Sequence, residues 1–323
     1  SSQATQSVVS RVNFLDAIRR PESRVYTWPS GIPQSDKYEV SVTQNGVTQT
    51  CFVHMTRPED RQELNTQGDK TIWWTHHGRT FSWANFSFWG PVTVEVKKLF
   101  GSATNTAVLT PKSYGLEHQV IDGHTIRIQM DKPQYVSVFF ECPENHVSQR
   151  PEEIMHGLML FADPPELSAP RLTDPGVAEF NPPVDQSSAS ILYLAEGQSY
   201  MGPGALRANG TFEPADPGGN IILSPDQSMY IAGGAYGWFS HWQTISDTAM
   251  GGRGIVSGVK QVFGYWTPGT CCWQAIKMDD CIEGITFVDL PHHAIGHSAG
   301  AVLRHLKLAA WYTNQDGIRG NSG

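Results

Sequence analysis

Near its end the chain reads "WYTNQDGIRG", residues 311 to 320, and the residue there best suited to chemistry is Asp316. A carboxylate can take a proton from water, and Arg319 three residues on could keep it ionised. Trp311 and Tyr312 just ahead could stack on a flat ring face, although aromatics in such a position also serve as core. Asp-Gly is equally a turn former, so a purely structural role for Asp316 stands beside the chemical one. Upstream, "DLPHHAIGH" places His292, His293 and His297 within six residues. No cysteine or carboxylate accompanies them at a strand spacing that would complete a metal set, so no metal is expected.

Positioning those residues requires elements, and the second half of the chain supplies a repeating one. The runs "IILSPDQSMYIAGGAY", "GGRGIVSG", "CIEGITFVDLP" and "LRHLKLAAWYTNQDG" have apolar centres near Ile231, Ile255, Ile285 and Leu306. Their spacing of about 21 to 30 residues suits one turn of a right-handed parallel β-helix. Stretch 259–274, "VKQVFGYWTPGTCCWQ", reads as a loop inserted between coils. Ahead of the repeat the texture differs. Segments 37–44, 50–56, 91–99, 125–130 and 134–141 are β-rich, and in "VTVEVK" the valines fall on one face. That alternation predicts an antiparallel sandwich buried on one side of each sheet. Between about 143 and 190 prolines recur, which predicts an extended connection with only short strands. The expected organisation is all-β, with a sandwich over 1–170 and the first coils of a β-helix over 171–323. The stretch "IWWTHHGRTFSWANFSFW" has aromatics on both sides of any strand it forms, favouring burial between the two domains over an open platform.

Bulk properties narrow the class of partner. The 323 residues carry a net charge of −8 and only 17% charged residues, with no basic cluster, which argues against nucleic acid. No apolar run approaches the roughly 18 to 20 residues needed to cross a bilayer, so no membrane partner is expected. Thirty-one glycines, 21 prolines and ten tryptophans fit an extracellular strand-and-turn protein. Five cysteines, Cys51, Cys142, Cys271, Cys272 and Cys281, leave at least one without an intrachain partner; buried free thiols are the other reading. Asn85-Phe-Ser and Asn209-Gly-Thr are possible glycan acceptors.

The order "SMYIAGGAYGW", "GGRGIVSG", "IEGITFVDLP", "NQDG" resembles the polygalacturonase-like clan of glycoside hydrolases, which includes families 28 and 49. The first domain, with "WANFSFWGPVTVEVKK" and "VLTPKSYGL", is similar to the N-terminal domain of the family 49 dextranase and isopullulanase group and of related family 28 members. The resemblance implies a secreted, cofactor-free hydrolase that inverts configuration on a polysaccharide or oligosaccharide. It implies that Asp316 positions or activates the attacking water, that Asn314 orients a sugar hydroxyl or a neighbouring carboxylate, and that His293 and His297 line the sugar groove. Gln315 departs from the threonine common in family 28, which weakens pectin as the substrate. Inversion needs two carboxyl groups about 6.5 to 9.5 Å apart, and adjacent coils, with strands about 4.8 Å apart, can supply them. In the clan the partner Asp-Asp pair follows one coil later, so the β-helix is expected to continue beyond Gly323 as the remainder of the same polypeptide. A lyase or epimerase on the same fold, or a noncatalytic glycan-binding β-helix, are the alternatives.

Overall fold

A computed structural model describes residues 22–58, 78–148, 150–180, 186–202, 221–224, 226–238, 242–244, 249–260, 274–278, 281–290, 293–297, 300–311 and 317–320. The valine alternation does what it predicts. One sheet runs in the order Val47–Cys51, Tyr38–Gln44, Val92–Lys98, Thr125–Met130, His118–Asp122, antiparallel throughout. The second runs Glu22–Val25, Thr80–Trp89, His156–Asp163, Tyr135–Phe140, Ala107–Thr110, with Val53–Thr56 also paired to Thr80–Trp89. Val42, Val94, Val96 and Ile128 from the first sheet pack with Phe86, Phe88, Val138 and Leu160 from the second in one solvent-free core.

The β-rich run 50–56 spans the end of one strand and the whole of another: it breaks at Phe52, so that Val47–Cys51 belongs to the first sheet and Val53–Thr56 to the second. One expectation needs correction here. The proline-rich interval is not merely a connection, because its proline-free window holds the eight-residue strand His156–Asp163. That strand lies parallel to Thr80–Trp89 at the centre of the second sheet, so the sandwich is mixed rather than wholly antiparallel.

From Val177 onward every pairing among the described residues is parallel, and three sheets wind around a common core. The first stacks Val177–Glu179, Ile191–Leu194, Ser228–Ile231, Ala249–Gly252, Cys281–Glu283 and Val302–Arg304. A second stacks Ser199–Met201, Tyr236–Trp238, Ile255–Ser257, Thr286–Val288 and Lys307–Ala309. The third stacks Ile221–Leu223, Trp242–Thr244, Gln274–Met278, His293–His297 and Ile318–Gly320. Each coil gives one strand to each sheet, which is a parallel β-helix, filled by Leu192, Met229, Met250, Val256, Ile282, Phe287 and Ile295. The four apolar centres read from sequence do not stack on one another: Ile231 is registered with Gly252, and Ile255 with Tyr236 and Thr286. Each coil has several inward positions, so its visual centre drifts from sheet to sheet. The stretch 261–273, most of the expected inserted loop, lies outside the described residues.

Sandwich and β-helix are joined by the strand Thr80–Trp89, whose two faces serve two cores. Ala84, Phe86 and Phe88 fill the sandwich, whereas Phe81 and Trp83 pack with Tyr236, Trp238, Ile255 and Val288 of the β-helix. Of the aromatic stretch, Phe81 and Trp83 thus pack between the domains and Phe86 and Phe88 inside the sandwich, while 72–77 lie outside the described residues. Asn85 lies on this seam, 1% exposed, donating to Thr286 Oγ1 at 2.9 Å, so its sequon is closed to glycan transfer. Asn209 lies outside the described residues. The paired glycines of "IAGGAY" are explained by close approach: a Cβ on Gly233 would lie 2.3 Å from the Tyr26 ring, and one on Gly234 2.2 Å from the Thr27 carbonyl oxygen. Cys51 and Cys142 are buried thiols, and burial pushes Cys51 up to about 12. Among the described residues no helix is long and apolar enough to cross a membrane.

His54 sits in the same seam against Trp28, Phe52, Trp83 and Tyr236, and neither ring nitrogen has a hydrogen-bond partner. Burial holds its pKa down at about 3, and burial likewise lowers His156 to about 4. A depressed histidine contributes stability that is complete above its unfolded value of about 6.5 and is lost as pH falls through the folded value. Urea denaturation between pH 7.5 and 4.5 should therefore show stability falling below pH about 6.5, by up to about 1.4 kcal/mol per pH unit for each such histidine. His54→Phe should flatten that slope; an unchanged slope would remove His54 from the explanation.

Candidate functional site

The third β-helix sheet carries three of the five residues singled out for sugar binding. For His293, His297 and Arg319 the structure describes backbone register: His293 lies opposite Gln274, His297 opposite Met278 and Gly320, and Arg319 opposite Gly296. One sheet and two neighbouring coils thus hold all three. Tyr312, Asn314 and Asp316, with His292, lie outside the described residues. The chain on either side of 312–316 is described, and both flanks are anchored. Ile295 N–H donates to the Gly317 carbonyl at 3.0 Å, fixing the downstream flank to the histidine strand. Upstream, Trp311 N–H donates to Asp289 Oδ1 at 2.9 Å.

Asp289, from "GITFVDLP", was not singled out by sequence reasoning. Its side chain is fully buried and its backbone is left-handed at φ 46°. Beside its bond to Trp311, it accepts a hydrogen bond from the Thr56 hydroxyl of the sandwich, and its own N–H reaches the Ala309 carbonyl at 2.8 Å. One carboxylate therefore ties two coils and the other domain together at the entrance to 312–316. An aspartate directly after the apolar run "ITFV" and before Leu-Pro, a residue type that tolerates a left-handed turn, is the local signal that could have found it. Over Trp311 lies the Arg79 guanidinium, 5.6 Å from the ring centroid and itself ion-paired to Glu153 at 2.9 Å. One face of Trp311 is thereby occupied by the sandwich, which limits its use as a sugar platform.

Deeper in the seam is a second group of charges. Lys307 Nζ, fully buried, donates to Asp163 Oδ2 at 2.7 Å and to the Gly284 carbonyl at 2.6 Å. Tyr135 donates to Asp163 Oδ1 at 2.5 Å, and Arg253 Nε stands 3.7 Å from Asp163 Oδ2. Glu166, close by, accepts from Tyr230 at 2.9 Å. Burial pulls the Lys307 ammonium below the ordinary lysine range while Asp163 opposes that, and burial raises Glu166. Arg253 goes the other way: burial would lower it, but Asp163 and Glu166 more than offset this. Gly284 must be glycine here, since at φ 82° a Cβ would meet Arg253 Nη1 at 2.1 Å. Two carboxyl groups in one cluster invite an acid–base reading. Asp163 is fully buried with both oxygens bonded and Glu166 accepts from Tyr230, so Asp163, Glu166, Lys307 and Arg253 act as an interdomain fastening. No group of three or more His, Cys, Asp or Glu side chains suited to a metal occurs among the described residues.

An Ig-like sandwich fused to a parallel β-helix defines the architectural class. Within it, residues 22–150 match the glycosyl hydrolase family 49 N-terminal Ig-like domain. The chain is 24% identical to a dextranase of Arthrobacter globiformis, over 89% of this chain and 53% of that protein. It is 24% identical to a dextranase of Arthrobacter sp. (strain CB-8), over 90% and 54% respectively. The chain thus spans about half the length of the curated relatives it matches. Among solved structures, Dex49A from Penicillium minioluteum superposes with a TM-score of 0.67 at 19% identity, over 92% of this chain and 62% of that one. That likeness concerns the fold.

The fastening generates a stability prediction. Removing one partner of a buried ion pair costs roughly 3 to 5 kcal/mol, because the other charge is left without compensation. Lys307→Met should lower the free energy of unfolding by about that amount, whereas Lys97→Met, which removes the exposed Lys97–Glu39 pair, should change it by less than about 1 kcal/mol. Equal effects of the two substitutions in chemical denaturation would show that Lys307 is not held as described.

Proposed function

We propose that this chain belongs to a secreted glycoside hydrolase that cleaves a neutral α-glucan of the dextran type, with inversion of configuration. The observation that carries the reading is positional. "NQDG" stands directly before Ile318–Gly320, a strand stacked on the His293–His297 coil, in a chain whose first domain matches family 49. The names of the two curated relatives supply the glucan. A polymer cannot enter a cell, which supports an extracellular site of action.

In this proposal Asp316 is the general base that activates water, Arg319 favours its ionised form, Asn314 orients a hydroxyl, and Tyr312 stacks on a pyranose face. His293 and His297 contribute to the groove along the same sheet. An inverting mechanism needs a second carboxyl group, acting as acid, about 6.5 to 9.5 Å away. In this proposal the acid is the residue that the resemblance to the clan places about one coil further along. A lyase or epimerase would need a basic group beside a uronate.

Asp316→Asn in the full encoded protein should lower turnover of dextran by roughly 10²- to 10⁴-fold while leaving the thermal transition in place, because the amide keeps the shape but cannot accept a proton. Reducing-end release from dextran and from polygalacturonate provides the measurement. A near wild-type rate would leave Asp316 as a turn residue. Binding of dextran without any release by the unaltered protein would favour the noncatalytic glycan-binding reading.

A further inference from the structure

The sandwich has one sheet committed to the β-helix, through Phe81, Trp83, Asn85 and Asp163. Its other sheet turns outward and carries a cleft of about 660 Å³. The cleft is lined by residues 114–119, from the end of the 3-10 turn Lys112–Tyr114 into strand His118–Asp122, by Arg127 and Gln129 of Thr125–Met130, and by the turn that follows. Tyr114 lies at the rim with 40% of its surface exposed. It is presented rigidly: its N–H bonds the Pro111 carbonyl at 3.1 Å, and Gly115, left-handed at φ 64°, returns to Lys112.

The floor has an ordered polar surface. Gln119 is registered opposite Arg127, and Arg127 opposite Glu95. Arg127 is held flat by Nε and Nη2 bonds of 2.9 and 2.6 Å to Glu95 Oε1, so its charge is already matched. Thr93 donates to Gln129 Oε1 at 3.0 Å, which fixes the Gln129 amide with its NH₂ unused. With Arg127 matched by Glu95, Glu117 and Asp131 outnumber Lys132 by one, so the cleft offers no net positive charge to an anionic polymer.

An exposed aromatic ring on a hydrogen-bonded turn, a fixed amide, a slight negative charge and an open trough together suit one chemistry. The apolar C–H face of a pyranose covers a tyrosine ring, while its hydroxyls, each both donor and acceptor, use carboxylate oxygens and amide hydrogens. An apolar peptide or lipid would instead leave these polar groups unpaired at a cost. We propose that this cleft binds a neutral polysaccharide chain, placing a second saccharide site on the outward face of the sandwich, away from the coils that carry Asp316. The identity of the polymer as an α-glucan rests on the function proposed above; the site itself does not.

Affinity electrophoresis of the full chain in gels containing soluble dextran, with polygalacturonate gels as the comparison, tests it. Dextran should retard the wild-type chain and polygalacturonate should not. Tyr114→Ala should weaken the apparent affinity by about tenfold, the scale of one lost stacking contact. Gln119→Ala, on a solvent-exposed strand, should weaken it by several-fold, and it decides the matter if Tyr114→Ala shifts the thermal transition. No retardation of the wild type, equal retardation by polygalacturonate, or unchanged retardation of both variants would overturn the proposal. Retardation that the two variants weaken, without release of reducing ends, would keep this site and sink the hydrolase reading; release together with retardation that both variants leave unchanged would do the reverse.

Discussion

A lysine ammonium with no exposure to water sets the terms for the rest of the molecule. Lys307 belongs to the β-helix and its carboxylate partner Asp163 to the last strand of the sandwich, so neither charge is satisfied unless the two domains are seated. The surroundings serve that pair. Gly284 leaves space for the Arg253 side chain, its carbonyl takes a second Lys307 proton, and Tyr135 occupies the other oxygen of Asp163. A misplacement of about 1 Å would leave buried charges without partners, a larger cost than any single apolar contact could return. Apolar packing through Trp83, Tyr236 and Ile255 supplies the area, and the charges supply the registration.

That registration reaches the candidate site. Lys307–Ala309 is the strand that leads into Trp311, and Asp289 then clamps the Trp311 N–H to Thr56 of the sandwich. The segment holding Tyr312, Asn314 and Asp316 therefore leaves from a point fixed by both domains and returns to a strand fixed by the histidine coil. A catalytic carboxylate gains from such support, since effective proton transfer requires its oxygen to be held close to the reacting water.

Much of this was legible in the residues. Valine alternation in "VTVEVK" declared a one-sided sheet, and the two-sided aromatics of "TFSWANFSFW" declared a strand between two cores. Coil-sized repetition declared the β-helix, although its centres at Ile231 and Ile255 belong to different sheets. Other features had no local signature. His156–Asp163 was hidden in a proline-dense interval, and its parallel partner lies some 76 residues earlier, as at His156 and Thr80. Asp163, Arg253 and Lys307 look like ordinary charges in the sequence, because only long-range packing removes them from water. Asn85 reads as a glycan acceptor for the same reason. The glycines of "IAGGAY" and "IEGI" were visible as a motif, but their cause, a tyrosine ring and an arginine pressed against the backbone, is visible only in three dimensions.

The central claim is that sandwich and β-helix form one cooperative body fastened by a buried ion pair. Chemical denaturation followed at once by tryptophan fluorescence, far-ultraviolet circular dichroism and hydrogen exchange at the backbone amides of Val94, Ile128, Val256 and Phe287 tests it most directly. The account predicts a single coincident transition, with the amides of both cores exchanging by the same global opening. Separate transitions, with Val94 and Ile128 protected after Val256 and Phe287 have opened or the reverse, would contradict it.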